Sequence, residues 1–298
     1  MSALVAAARN WGEMIKFSHS LFALPFAVLA AFLAARPSLP SATEFGLIVL
    51  CMVAARSTAM TFNRIVDARY DAANPRTAQR HLPAGRISPT AAWAFLVAAA
   101  VAFLVGCAGF FIARGNPWPL RLGLPVLALL CGYSYTKRFT RFSHLALGAA
   151  IALSPVAAWI AISPQTLGLP AAALMLAVAT WIAGFDIIYA CQDVEFDRGA
   201  GLHSLPARLG VGPALWAARG LHAVTVAALV AVGRTAALGA LYYAGVGCVA
   251  LLLVIENALV SPRDLSRVNL AFFTVNGIVG LVLGGLGVLD VCLSTVQP

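Results

Sequence analysis

The segment DIIYACQDVEFD, residues 186–197, closes one long apolar run, and NRIVDARYD, residues 63–71, closes another. Each carries the spacing D-x-x-x-D: Asp67 and Asp71 in the first, Asp193 and Asp197 in the second. On a helix that spacing turns both carboxylates of a pair to one face. The whole chain of 298 residues holds only 11 Asp and Glu, so two matching acidic pairs at the ends of apolar runs concentrate a scarce resource. Carboxylates crowded in this way repel one another unless something positive holds them. Two such faces turned toward each other make an oxygen-rich site suited to Mg2+ bridged to a diphosphate. In the first cluster Asn63 lies one further turn back and offers a neutral amide oxygen as an extra ligand. The bland reading of that cluster is a solvated face balanced by Arg64 and Arg69.

The apolar runs around these motifs set the fold class. The chain is 61% hydrophobic and 10% charged, where a soluble domain carries roughly 25% charged residues. Apolar blocks long enough to cross a bilayer, about 20 residues each, fall roughly at 15–35, 43–62, 90–113, 119–135, 142–162, 168–190, 211–233, 236–259 and 268–294. This predicts an all-α polytopic membrane protein with nine transmembrane helices, the fourth short for a span, in a single domain over residues 1–298. The first block is too long, and lacks the small-residue cleavage site, for a removable signal peptide.

Basic residues orient the chain. The N-terminus and the loops joining spans two–three, four–five, six–seven and eight–nine hold about 14 of the Lys and Arg. That side is expected to be cytoplasmic in the cell (inner) membrane, with the N-terminus and both acidic clusters on it. The net charge of +9 is then mostly topological, and no basic–aromatic stripe points to nucleic acid. The six cysteines are dispersed without C-x-x-C or zinc spacing, which marks them as small buried hydrophobes. Walker A, G-x-G-x-x-G and G-x-S-x-G motifs are absent, leaving ATP-driven transport and serine hydrolysis without support.

The two clusters belong to an internal pseudo-repeat. With Asp67 set on Asp193, Asp71 falls on Asp197, and HLPAGR (81–86) parallels SLPARL (204–209). Membrane proteins often place sites at the interface of such repeats. Asp186 lies seven residues before Asp193, about 11 Å deeper along a helix. An ionisable group at that depth is a candidate functional residue, too deep to share the metal. It is assigned to an acceptor substrate, by orienting it or taking its proton; the alternative is a neutral carboxyl bonded to another span. Tyr189, at i+3 from Asp186, either contacts substrate or is an interfacial aromatic. Arg76, Lys137 and Arg138 stand near the clusters as candidate diphosphate contacts, against a purely topological role. His81 and His203 lie in the two cluster loops, where a lone histidine is more often a bystander.

These residues resemble the UbiA superfamily of intramembrane aromatic prenyltransferases. The first family motif, N-x-x-x-D-x-x-x-D, is matched by Asn63, Asp67 and Asp71, followed by RTAQRHLPAG (76–85). The second is matched by Asp193 and Asp197, with Asp186 and Tyr189 in the D-x-x-Y-A-x-x-D context, and the Y-x-x-x-K-R loop by Tyr133, Lys137 and Arg138. The resemblance covers essentially the whole chain and implies a nine-helix bundle. It implies that Asn63, Asp67, Asp71, Asp193 and Asp197 hold Mg2+ on the diphosphate of a polyprenyl donor. An aromatic acceptor is alkylated, among membrane lipid, with no obligate protein partner. The broad look is that of 4-hydroxybenzoate polyprenyltransferases of ubiquinone synthesis. Residues 14–27 and 63–88 look more like a related branch linked to menaquinone made through futalosine. Arg64 stands where common members carry an acidic residue, a departure that bears on the acceptor rather than the metal. Outside the class, a secondary transporter shares the spans and the repeat, but it would place its acids near the midplane on broken helices.

Overall fold

The computed structural model describes residues 10–15 and 20–296. Among these residues the chain is helical, with one isolated β-bridge between Ser261 and Asp264. In lipid each backbone N–H and C=O must be satisfied inside its own segment, and a long apolar run does so only as a helix. Nine apolar helices follow: α1 (Ser20–Ala35), α2 (Ala42–Val66), α3 (Pro89–Arg114), α4 (Trp118–Gly132), α5 (Ser143–Ile162), α6 (Leu169–Ala190), α7 (Val211–Thr235), α8 (Ala240–Ala258) and α9 (Asn276–Val296). Among the described residues seven spans are long and apolar enough to cross a membrane, so the protein is an integral membrane protein. Of the other two, α4 has 15 residues, short of the ~20 that cross a hydrocarbon core, and α1 is described over 16 residues from Ser20. The first expected span began at residue 15; residues 16–19 lie outside the described ones.

The chain divides into two compact units. One takes Val49–Ser134 with the described part of Met1–Ser20; the other takes Leu21–Ile48 and Tyr135–Pro298.

The smaller unit packs most of α2 against α3 and α4. Ala54, Phe103, Cys107 and Leu127 form its core. Small residues let these helices approach: a Cβ on Gly106 would sit 2.7 Å from Cys51 Sγ. Helix α3 begins at a conventional cap, with Ser88 Oγ accepting from Ala91 N–H and Pro89 at the first turn. It ends at Gly115, whose φ of 65° only glycine adopts without cost. Trp93, Val97, Val101 and Val105 recur every fourth residue on α3 and are all exposed. Such an apolar stripe faces lipid tails.

The larger unit is organised around α6, which packs between α5 and α7. Its span, extended to Gly199, has 67% of its window buried, against 22% for α3, so α6 is an interior helix. Close approach again depends on glycine: a Cβ on Gly148 of α5 would lie 2.2 Å from the carbonyl oxygen of Ala179. Buried polar side chains then tie helices together, as expected where lipid supplies no alternative partner. Trp181 Nε1 donates to Asn276 Oδ1 at 2.7 Å, and Asn276 Nδ2 donates to Glu256 Oε1 at 2.7 Å. The same amide reaches the carbonyls of Ala271 and Phe272, inside a π-helical turn over Ala271–Val275. An amide that satisfies displaced carbonyls is what such a turn requires.

Candidate active site

The first acidic motif straddles a helix break. Helix α2 ends at Val66 and a short helix runs over Ala68–Ala73, with Asp67 between them at φ −93°, ψ 1°. The second motif repeats that local geometry. Helix α6 ends at Ala190, a 3-10 turn covers Cys191–Asp193, and Asp193 leads into a helix over Val194–Gly199 at φ −108°, ψ 9°. Both aspartates occupy the sparsely populated bridge region of backbone space, where many active-site residues sit. In each case the break falls at the first Asp of the pair.

In the smaller unit Asn63 Nδ2 donates to Asp67 Oδ2 at 2.8 Å, while Arg64 NH1 donates to Asn63 Oδ1 at 3.3 Å. Asp71 is buried at 6% exposure. Arg80 NH1 lies 2.6 Å from its Oδ1, and Arg64 NH1 lies 3.9 Å from its Oδ2. The loop that brings Arg80 back is self-bonded: Thr77 Oγ1 donates to the Asp71 carbonyl, Arg76 N–H to Asn74 Oδ1, and Ile87 N–H to the His81 carbonyl. Arg80 is thus the loop base that reaches Asp71, whereas Arg76, the residue singled out by sequence, is exposed. His81 lies 3.7 Å from Glu13, and burial, with Arg86 adding to it, holds its imidazole below the usual pKa.

In the larger unit Asp197 is fully buried. Lys137 Nζ stands 2.8 Å from its Oδ1, and Ser204 Oγ donates to its Oδ2 at 2.8 Å. The Leu202 N–H closes the turn onto the Asp197 carbonyl. Asp193 is buried beside it in sequence. Arg138 stacks its guanidinium 4.8 Å from the centre of the Tyr135 ring. Asp186 lies in the last turns of α6 and pairs with His144 of α5, Nδ1 to Oδ2, at 2.7 Å. Tyr189 joins an aromatic cluster, 4.2 Å from the Phe272 ring centre and 6.2 Å from that of Phe273. Sequence reasoning missed His144, and also Ser204, which a later helix cap hides in plain view.

Among the described residues of either unit, no three His, Cys, Asp or Glu side chains gather as a ready metal centre. The donor set nonetheless fits a hard divalent cation, being carboxylate and amide oxygens. Asp71 Oδ2 is buried without a hydrogen-bond donor. Asp197 Oδ1, by contrast, faces the Lys137 ammonium 2.8 Å away. Buried carboxylate oxygens are ordinarily satisfied, so Asp71 Oδ2 is an open position for a cation, and Asp197 Oδ1 becomes one when Lys137 turns aside.

Comparison with known proteins agrees with this geometry. A profile of the UbiA prenyltransferase family matches residues 23–278. A protein named 4-hydroxybenzoate octaprenyltransferase, from Vibrio parahaemolyticus serotype O3:K6, is 32% identical over 256 residues, covering 85% of this chain and 86% of its own. One of the same name from Vibrio cholerae is 29% identical over 281 residues, covering 93% and 95%. Among solved structures, the apo structure of a UbiA homolog from Aeropyrum pernix K1 superposes with a TM-score of 0.81 at 31% identity, covering 91% of this chain and 98% of that one. A UbiA homolog from Archaeoglobus fulgidus, bound to GPP and Mg2+, has a TM-score of 0.73 at 19% identity and shows the shared fold. With paired aspartates at equivalent helix breaks, and a family match across most of its length, the chain belongs to the UbiA prenyltransferase family.

Proposed function

We propose that the two units act as one catalytic domain that transfers a polyprenyl group from polyprenyl diphosphate to an aromatic acceptor of the 4-hydroxybenzoate type, in respiratory quinone synthesis. The observation that carries the reading is the matched pair of buried aspartates, Asp71 and Asp197, each held by a base, with one oxygen of Asp71 lacking a donor. Asn63, Asp67, Asp71, Asp193 and Asp197 are the residues to hold Mg2+. When bound, the metal supplies positive charge against the departing diphosphate. The names of the Vibrio relatives support 4-hydroxybenzoate as acceptor, and the Archaeoglobus neighbour supports a prenyl diphosphate with Mg2+.

The protein's own groups account for the rest. Lys137 and Arg80 can turn from their aspartates, and Arg138 from its ring partner, to diphosphate oxygens, with exposed Arg76 beside them, placing donors where negative charge develops. The allylic C–O bond breaks, a ring carbon of the acceptor bonds to the allylic carbon, and the ring then loses a proton. Asp186 is the carboxylate that orients the acceptor, with Tyr189 alongside. Apolar helices keep water from the cationic carbon. The basic loops put this chemistry, and the N-terminus, on the cytoplasmic side of the cell membrane.

A second acceptor has its own support. Residues 14–27 and 63–88 resemble the branch linked to menaquinone made through futalosine, and Arg64, in place of the family's usual acid, is buried against Asn63 and Asp71, so a menaquinone-type acceptor of the futalosine pathway is the alternative. Both readings are tested by offering the purified protein a labelled polyprenyl diphosphate with 4-hydroxybenzoate and, in parallel, a futalosine-derived hydroxynaphthoate. Product with 4-hydroxybenzoate supports the first reading; product only with the naphthoate replaces it; product with neither overturns both.

A further inference from the structure

His144 has no place in either acidic motif, yet it sits where two parts of the larger unit meet. It is the second residue of α5 and is 3% exposed. Its Nδ1 lies 2.7 Å from Asp186 Oδ2, and its Nε2 lies 3.2 Å from the backbone N–H of Leu205. A backbone N–H can only donate, so Nε2 is the unprotonated ring nitrogen and Nδ1 carries the proton toward Asp186. The tautomer is therefore set by the protein backbone, and the imidazole is a fixed donor to one carboxylate oxygen. The side chains differ in reach: that of Asp186 is 24% exposed, that of His144 only 4%. A ligand can meet the carboxylate but not the ring.

The far end of this bridge is the strap that closes over Asp197. Three successive residues of the strap are tied down. The His203 N–H donates to the Lys137 carbonyl at 2.7 Å, Ser204 Oγ to Asp197 Oδ2 at 2.8 Å, and the Leu205 N–H to His144. The Ser204 hydroxyl also accepts from Ala207 N–H and so starts the helix over Leu205–Leu209. One short segment thus connects the aspartate on the diphosphate side to the aspartate on the acceptor side.

We propose that His144 is a positioning residue for the aromatic acceptor: it holds Asp186 in the one orientation that receives the acceptor's polar group, and through Leu205 it registers that orientation to the strap that carries the partner of Asp197. This rests on the assignment of Asp186 to the acceptor. The two ring nitrogens make the roles separable, because an Asn amide at this position reaches about as far as Nδ1 and a Gln amide about as far as Nε2.

The test measures kcat and both KM values for His144→Ala, His144→Asn, His144→Gln, Asp186→Asn and the double variant His144→Ala/Asp186→Asn. His144→Ala is expected to raise the acceptor KM about tenfold, the effect of one charge-assisted hydrogen bond, with the donor KM unchanged. His144→Asn recovers most of that loss. His144→Gln keeps the bond to Leu205 and wild-type thermal stability but loses the acceptor as His144→Ala does. That split keeps the proposal falsifiable even where the alanine variant fails to fold. The double variant matches Asp186→Asn alone, because His144 acts through Asp186. A raised acceptor KM in Asp186→Asn with an unchanged one in His144→Gln overturns the inference and leaves the acceptor assignment standing. An unchanged acceptor KM in Asp186→Asn overturns that assignment and the inference with it.

Discussion

Replacing Lys137 by Met tests the idea that the bases of this site both hold its aspartates and serve the diphosphate. Lys137 Nζ lies 2.8 Å from Asp197 Oδ1, and the Asp197 side chain is 1% exposed. At an effective dielectric of about 20, charges that close attract by roughly 6 kcal/mol. Much of this is offset by the desolvation of Asp197 and by the exposure of Lys137, whose side chain is 34% accessible. Ser204 also keeps the second oxygen satisfied. Leaving a buried charge unpaired costs about 3–5 kcal/mol where both partners are buried; solvent access to Lys137 lowers this to about 2 kcal/mol. That corresponds to a fall of about 4–8 °C in melting temperature, read by a thermal shift in detergent. The methionine keeps the length and the apolar stem, so packing is preserved. Turnover loses more than stability, because a donor aimed at developing charge is removed as well. A loss of about 2–3 kcal/mol in the transition state is roughly a 30- to 160-fold fall in kcat/KM for the donor. A variant with wild-type melting and wild-type donor kinetics would refute the reasoning, since no ion pair at this position could then matter.

Other outcomes follow from the same structure. Gly148→Ala puts a methyl 2.2 Å from the Ala179 carbonyl oxygen; forcing α5 and α6 apart costs about 1–3 kcal/mol, seen as a lower melting temperature. Asn276→Leu leaves the Trp181 indole N–H and the Glu256 carboxyl without their shared partner; two unpaired buried groups cost about 2–5 kcal/mol, whereas Asn276→Gln restores part of it. His81 is held below its ordinary value of 6.5, chiefly by burial. Because the folded form binds the proton less readily than the unfolded one, stability is full above that value and falls as pH drops through and below it. His81→Gln is expected to flatten that part of the melting-temperature profile against pH.

Much of this site is legible in sequence because membranes impose simple rules. Long apolar runs become helices, and charges among them are conspicuous. The helix breaks at Asp67 and Asp193 are less legible, since i, i+4 spacing is satisfied by a helix with or without a bend at its first acid. Pairings across the chain are hidden for another reason. Arg80 returns to Asp71 through a self-bonded loop, and His144 meets Asp186 from a different helix, 42 residues away. Local periodicity carries no information about such distances. The one available sign for His144 was its position, a polar ring at the start of an apolar span just after the basic run YTKRFTR. Lys137 was read as a diphosphate contact; the structure adds that it also neutralises Asp197.

The central claim is that both acid motifs are required for a metal-dependent transfer. It is tested most directly by following labelled polyprenyl diphosphate in liposomes, with aromatic acceptor and Mg2+, for the wild-type protein and for Asp71→Ala and Asp197→Ala. The account predicts transfer that chelation abolishes and Mg2+ restores, and none from either variant despite normal membrane insertion. Transfer by the wild type that persists in both variants, or that ignores chelation, would contradict it.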